Sequence, residues 1–531
     1  QRSGGPPTQG IPSLSGEGEK EAREYPLFEL ALLTRLRTPD TKVGVRGRSY
    51  VSQNRVYIRL CAHMQRGCTS VTLLICSNGY LLMRSDEPGK AAIMKQVLWF
   101  QNPQKDVQAV ALDPSGRQAV CACRDSSVYI VPVYTLLHPS FTAKQSWRAE
   151  DLTRVIGPSK RGIPTQVVWW NSSDGRNIVI VGTQNGEIAL IDVGMHKAVK
   201  GFNLKEEIAL LDIVHHPGVT YLLIQSDIGT QWGLLLEKQR SNVIPRSADI
   251  DISVPGFEVI HPHSVPKLNI LYAQEGQNTF LPYCFNNFMD IVTLSTQSAL
   301  GHSFVAAHEY ASNIYKIFDS SIDNWLPLHV YRLPPLCSHA ILTDRLMFVV
   351  YIKNGDTVFG VLSSHLSETS NQDHPLNEDA LMQTFFLPSN ERLIAMYKCS
   401  FPAGYMDDKT VEENQPHTSQ HSIEHQVQIL RDRSPSKLMP TRVDSHTVLE
   451  GCVLVTDVAV YQCRPRISPE GLFLELAKEG KGTSLPDNLG ITLGLDMNGL
   501  YGLAANQRLA EGQTDVAMRL YHQSGVRLLS F

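Results

Sequence analysis

Apolar and polar positions change rhythm along the chain. Residues 1–24 (QRSGGPPTQGIPSLSGEGEKEARE) carry no periodic apolar pattern and predict a disordered leader. Pro26 then opens LFELALLTRLR, where Leu27, Leu30, Ala31 and Leu33 recur at helical spacing, predicting a short amphipathic helix ended by Pro39. From about residue 50 to about residue 400 the pattern becomes short, β-branched apolar runs separated by turn residues.

The clearest unit is 164–204. Thr165–Trp170 reads as a strand, Asn-Ser-Ser-Asp-Gly175-Arg as a turn and Asn177–Gly182 as a second strand. Gln184-Asn185-Gly186 turns again, Glu187–Asp192 is a third strand and Ala198–Leu204 a weaker fourth. Asp-Gly and Asn-Gly supply the positive φ angles that tight hairpins need. Four antiparallel strands in about 40 residues make one propeller blade. The same syntax recurs at Val71–Arg84 around Ser77-Asn78-Gly79, and at Val107–Val133 around Asp113-Pro-Ser-Gly-Arg117 and Arg124-Asp-Ser-Ser127. Further units are expected to begin near Ile208, Phe257, Phe288 and Leu328. Roughly 350 residues at roughly 45–50 per blade predict about seven blades, with six or eight as neighbouring counts. Two β-sandwiches are the other all-β solution, and they would show two independent cores instead of a steady period.

Residues 403–447 break the rhythm with a polar stretch that reads as a flexible linker or loop. After 448 the period reads as helical. Ser468-Pro469-Glu470 is a helix start, Met497–Leu509 a second helix and about Asp515–Gln523 a third, with Gly525 as its cap. Short helices at this spacing cannot bury their faces alone, so 448–531 reads as the start of an α-solenoid. The expected division is therefore leader 1–24, propeller with its preceding helix 25–402, linker 403–447 and helical segment 448–531. The first residue, Gln1, and the apolar run ending at Phe531 lead to the expectation of a fragment of a longer protein.

Composition agrees with a folded, mainly β chain: 42% of the 531 residues are hydrophobic and 19% charged. A net charge of −4 removes the broad basic field on which nucleic-acid binding depends. The ten cysteines lie mostly inside apolar runs such as VTLLIC and QAVCAC, which predicts buried, reduced thiols and a cytosolic setting. No apolar run is long enough to span a bilayer.

Several strings carry chemistry on paper. His421-Ser-Ile-Glu424-His425 matches H-x-x-E-H, and on a helix His417, His421 and His425 would share one face as zinc requires. Its setting is a polar linker preceded by Pro416, which favours a solvated segment over a zinc hydrolase. Cys61, His63 and Cys68, with Cys76 beyond, lack the spacing of a finger or ribbon and read as core thiols. Cys121 and Cys123 point to one face of one strand. His215-His216-Pro217-Gly218 reads as a surface turn, Asn171-Ser-Ser as a turn that happens to be a glycosylation sequon, and Arg431-Asp-Arg-Ser434-Pro435 as a chance phosphorylation string. G-x-S-x-G, G-x-x-x-x-G-K-[ST] and G-x-G-x-x-G are all missing. No catalytic, cofactor-binding or metal-binding residue is assigned.

The β units resemble WD40-type blades, Asp113-Pro-Ser-Gly-Arg117 being the nearest match, although Gly301-His302 is the sole Gly-His pair and Trp-Asp is missing. Ala517-Met-Arg-Leu520-Tyr521-His-Gln-Ser-Gly525 resembles the A-x-x-L-Y-x-x-x-G rhythm of clathrin-type helical repeats, and Cys463-Arg-Pro-Arg466 with SPEGLFLELA resembles the entry to such a solenoid. A propeller followed by paired helices is similar to the layout of HOPS/CORVET tethering subunits, clathrin-like coats and Hermansky–Pudlak propeller proteins. That resemblance implies a non-enzymatic scaffold subunit of a cytosolic membrane-trafficking or endolysosomal tethering complex. Its implied partners are other subunits and a small GTPase, with no nucleic acid, and with indirect attachment to endosomal or lysosomal membranes. A propeller adaptor of a ubiquitin ligase, nutrient-signalling complex or nuclear pore is the alternative.

Overall fold

The computed structural model describes residues 27–36, 56–66, 69–87, 90–138, 147–172, 175–216, 219–238, 258–259, 292–299, 302–319, 327–369, 376–377, 380–402, 448–466, 468–479 and 484–525. The expected leader (1–24), the linker (403–447) and the His417–His425 and Ser434 strings lie outside them.

Seven antiparallel sheets follow one another along the chain, which makes a seven-bladed β-propeller. Strand β1 (Phe28–Arg35) is set aside until the end. The first blade is β2 (Ile58–Arg66), β3 (Thr69–Cys76), β4 (Tyr80–Asp86) and β5 (Ile93–Leu98). The second is β6 (Val107–Leu112), β7 (Ala119–Cys123), β8 (Val128–Val131) and, after an excursion through helix α1 (Val133–Leu137) and strand β9 (Trp147–Arg148), β10 (Thr153–Ile156). Strand β9 pairs in parallel with β5 and covers the outer edge of the first blade. The third blade is β11 (Pro164–Asn171), β12 (Asn177–Thr183), β13 (Glu187–Asp192) and β14 (Lys197–Asn203), as its turn residues predict. The fourth is β15 (Ile208–His216), β16 (Val219–Ser226), β17 (Gln231–Lys238) and β18 (Glu258–Val259); the fifth is β19 (Val292–Ala299), β20 (His302–Glu309), β21 (Ile314–Asp319) and β22 (Pro327–Arg332). The sixth is β23 (Cys337–Leu342), β24 (Leu346–Lys353), β25 (Asp356–Ser363) and β26 (Leu381–Phe386), with the one-turn helix α2 (Ser364–Ser367) between the last two.

The seventh blade corrects the expected boundaries. It is built from β27 (Leu393–Pro402), β28 (Val448–Thr456) and β29 (Ala459–Pro465), with β1 as its outer strand. The propeller therefore runs through Pro465, and 448–465 is strand, not the opening of the helical segment. The polar stretch after Pro402 separates two neighbouring strands of one blade, which hides their kinship from a linear reading. Phe28–Arg35 is likewise a strand and not the expected helix. Its leucines favour a helix only weakly in isolation, whereas the free edge of β29 offers the segment a full ladder of backbone bonds. The link after it is pinned by Leu36 N–H donating to Val458 O at 2.8 Å, and Ile58 N–H donates to Asp457 O at 2.7 Å. Phe257 and Leu328 introduce outer strands, and the sixth blade begins at Cys337.

Inner strands touch in ring order, and β27 reaches β2 to close the circle. At that closure Tyr397 Oη donates to Cys61 O at 3.0 Å and Ser400 N–H donates to Gln65 Oε1 at 2.6 Å. Middle strands are covered on both faces by adjacent blades, so Ala119–Cys123 and Val128–Val131 are buried throughout. Between the second and third blades, Val120, Ala122, Val128 and Ile130 pack on Trp169, Val179, Val181 and Ile191. Each fully buried side chain of this size contributes about 1.5–3 kcal/mol.

The helical segment forms a separate compact unit: α3 (Pro469–Glu479), α4 (Ser484–Leu493), α5 (Met497–Ala510) and α6 (Thr514–Gln523). Ser468 Oγ accepts from Gly471 N–H at 2.9 Å and Asp496 Oδ1 accepts from Gly499 N–H at 3.1 Å, so side chains cap α3 and α5. Phe473 meets Tyr501 edge to face at 5.0 Å, and Tyr501 Oη donates to Asp487 at 2.8 Å. Among the described residues no helix is long and apolar enough to cross a membrane.

Candidate interaction face

Antiparallel strands fix which loops share an end of the ring. Within a blade, the turn from the second to the third strand and the link from the outer strand to the next inner strand must lie together. This face is stitched by one recurring bond, in which the residue at the end of a second strand donates its N–H to the carbonyl just before the inner strand. The pairs are Ser77 to Tyr57 (2.8 Å), Arg124 to Asp106 (2.9 Å), Gln184 to Ile163 (2.8 Å), Asp227 to Glu207 (3.0 Å), Ile352 to Leu336 (3.4 Å) and Asp457 to Arg392 (2.8 Å). Loops held this way are rigid supports for whatever their side chains present.

Left-handed backbone concentrates here. The second-to-third turns carry Gly79, Ser126, Gly186, Gly229, Asn313 and the Asn354-Gly355 pair, and the links carry Gly162, Lys205 and Leu336, all at positive φ. Among the described residues, His196 is the sole non-glycine with positive φ at the opposite end. Leu336 is the costly case: a side chain at φ 58° is strained by about 1–2 kcal/mol, and this one is also 68% exposed. Its bonded neighbour Ile352 is 49% exposed, and Tyr57 and Ile228 are open on the same face. An exposed apolar side chain held on strained, pinned backbone, as at Leu336, is a feature of a contact surface.

Ion pairs lock the seams beneath. Arg59 forms a two-bond pair with Asp106 at 2.6 and 2.7 Å and also donates to Val107 O at 2.8 Å, tying the first blade to the second. Lys105 contacts Asp125 at 2.7 Å and sits 5.5 Å from the Tyr129 ring centre. Burial opposes both charges, but the pairing outweighs it, so the Lys105 pKa is raised and the Asp125 pKa lowered. At the opposite end of the ring, hydrogen bonds join another seam: Glu450 of the seventh blade accepts from Thr343 Oγ1 at 2.7 Å and Asp344 N–H at 2.7 Å of the sixth.

The residues singled out by chemistry fall elsewhere. Cys61 and His63 lie on β2, with Cys61 Sγ 3.5 Å from Tyr397 Oη and His63 Nδ1 2.9 Å from Thr72 Oγ1. Burial pushes the Cys61 thiol up to about 11, against the Tyr397 hydrogen bond, and holds His63 down to about 4, against the attraction of Asp86. Cys76 pairs with Ile58 at the far end of the hairpin, while Cys68 is outside the described residues. Cys121 and Cys123 do share a face, and it points into the core with Leu73, Trp99 and Val107. Among the described residues, no three His, Cys, Asp or Glu side chains come together to hold a metal. His215 pairs with Thr220 at the end of a hairpin, and Asn171 Oδ1 accepts from Trp169 Nε1 at 3.0 Å. Sequence reading passed over Leu336, Ile352 and Ile228, because a lone apolar residue beside a turn looks like the start of a strand.

No family model matches the chain, and no curated protein matches it. Solved structures similar to it include the WD40 β-propeller domain of Doa1, at 11% identity and TM-score 0.38 over 68% of this chain and 87% of that one. The WD40 domain of Toxoplasma gondii coronin is similar at 11% identity and TM-score 0.40, over 83% and 87%. The WD40 domain of SCAP from fission yeast is similar at 10% identity and TM-score 0.37, over 82% and 98%. The seven-bladed fold rests on this chain's own strand order.

Proposed function

We propose that this chain is a non-enzymatic protein-interaction scaffold that serves as a subunit of a cytosolic membrane-trafficking or endolysosomal tethering complex. The observation that carries the scaffold reading is the loop face, where exposed Leu336 stands on pinned, left-handed backbone and Ile352, Ile228 and Tyr57 are exposed beside the other stitched links. Capped helices after the last blade add a second surface of the kind that stacks with further helices. In this reading the propeller face holds folded partners or peptides, the helices join neighbouring subunits, and membranes are reached through partners such as a small GTPase. Affinity purification of the tagged chain from cells under mild lysis tests it. Tethering or coat subunits and small GTPases are expected; a partner set of cullin-linked proteins or nucleoporins would reassign the scaffold, and recovery of the chain alone would sink it.

A further inference from the structure

The link 157–163 (GPSKRGI) crosses from β10 to β11 at the seam of the second and third blades. It is held at several points: Ser159 N–H donates to Asp125 O at 3.0 Å, Ser126 Oγ to Gly162 O at 2.6 Å and Gln184 N–H to Ile163 O at 2.8 Å. Gly162 at φ 102° lets Asn185 approach so closely that an added Cβ would lie 2.8 Å from its side-chain nitrogen. A cavity lies along each side of this strap. One, of about 490 Å³, is lined by Gln104, Arg124, Ser126, Ser159 and Lys160; the other, of about 430 Å³, is lined by Arg161, Glu187, Ala189, Ala198 and Lys200. The small side chains of Ala189, Ala198 and Gly201 leave the second space open.

Charge at this seam is unbalanced. Arg124, Lys160 and Arg161 pair with no carboxylate among the described residues, whereas Arg59 at the preceding seam is neutralised by Asp106. The nearest acid of the first cavity, Asp125, is already held by Lys105. The Ser159 hydroxyl of the strap is enclosed and has no hydrogen-bond partner among the described residues. Beside the second cavity, β14 is the outer strand of its sheet, so its outward N–H and C=O groups pair with no further strand among the described residues. An extended chain is the shape that uses such an edge.

We propose that this seam is a docking groove for an acidic, extended segment of a partner protein, with its carboxylates between Arg124, Lys160 and Arg161 and its backbone along β14. The proposal deepens the scaffold reading and rests on it. At a Debye length of about 10 Å exposed charges act locally, so the net charge of −4 for the chain as a whole does not cancel the attraction at this seam.

The test uses the full chain and a fluorescent Glu/Asp-rich peptide of about 12 residues, enough to run beside a strand. Its controls are the same peptide with Gln/Asn replacements and vesicles of phosphatidylserine and phosphatidylcholine. Saturable binding of the acidic peptide is expected, weakening as salt rises. It should fall about tenfold or more in Arg124→Glu/Lys160→Glu and in Arg161→Glu, with unchanged circular dichroism and Tm. Equal binding of the neutral peptide, indifference to both variants, or binding of the vesicles without the acidic peptide would each overturn the groove. Partner recovery from cells separates the two readings: partners that persist with the charge-reversed variant leave the scaffold standing and remove the groove.

Discussion

Gly186 and Gly355 occupy the same kind of turn, between the second and third strands of the third and sixth blades, at φ 79° and 89°. An alanine at either site meets the left-handed penalty of about 1–2 kcal/mol, reduced by the smaller entropy of its unfolded chain, about 0.4–1 kcal/mol. A net loss of about 1 kcal/mol is expected at Gly355, where an added Cβ meets nothing within 4 Å. At Gly186 the same Cβ would lie 2.6 Å from both N and O of Glu206 and 2.7 Å from Lys205 N. Those are backbone atoms of the link to the fourth blade, and no rotamer change moves them. Overpacking of this kind adds about 1–3 kcal/mol, so Gly186→Ala should cost about 2–4 kcal/mol in all. Urea unfolding followed by tryptophan fluorescence measures both variants, with buried Trp169 and Trp170 reporting from the blade of Gly186. The Leu204 amide, which donates to Gly186 O at 2.9 Å, should lose exchange protection in Gly186→Ala and keep it in Gly355→Ala. Equal losses at the two glycines, or a Leu204 amide that stays protected, would refute the account of the stitched face.

Further expectations concern the ring closure and the buried histidines. Glu391, whose side chain is fully buried, accepts from Arg35 at 2.6 Å, Thr456 Oγ1 at 2.8 Å and Tyr461 Oη at 3.0 Å. Glu391→Ala leaves the Tyr461 hydroxyl without its acceptor and removes the partner of Arg35, while Thr456 Oγ1 keeps Ala459 O, and it should cost about 2–4 kcal/mol by denaturant midpoint. Arg35→Ala, with its side chain 44% exposed, should cost about 1 kcal/mol or less, and a larger loss than that of Glu391→Ala would contradict the assignment. Burial holds His63 and His308 down to about 4, with His339 adding repulsion at His308. As pH falls below 6.5 the unfolded chain takes up protons first, so stability present above 6.5 drains away toward pH 4, by about 2 kcal/mol per histidine at pH 5. Tm measured between pH 7 and 5 should fall, and His308→Gln should flatten the fall; an unchanged slope in that variant would remove the histidine explanation.

The third blade was legible residue by residue because its turns are punctuated by Asp174-Gly175 and Asn185-Gly186, and local backbone preference there agrees with the final fold. The same holds for Ser77-Asn78-Gly79 and for the caps at Ser468 and Gly525. The blade count followed from that period, as did the burial of Cys121 and Cys123 within an unbroken apolar strand. Leu336 stayed hidden because its left-handed backbone comes from the link it closes, and no turn-forming residue type announces it.

By itself the sequence determined the local grammar of this protein: short strands, tight turns, capped helices and enough apolar matter for a continuous core. Tertiary structure alone decided that Phe28–Arg35 is a strand, that 448–465 belongs to the seventh blade and that one loop face collects the strain. In each case the deciding partner lies far away in sequence. An unpaired sheet edge and a closing ring are properties of the assembled chain, and the free energy of completing them exceeds the fraction of a kcal/mol per residue by which local propensities differ.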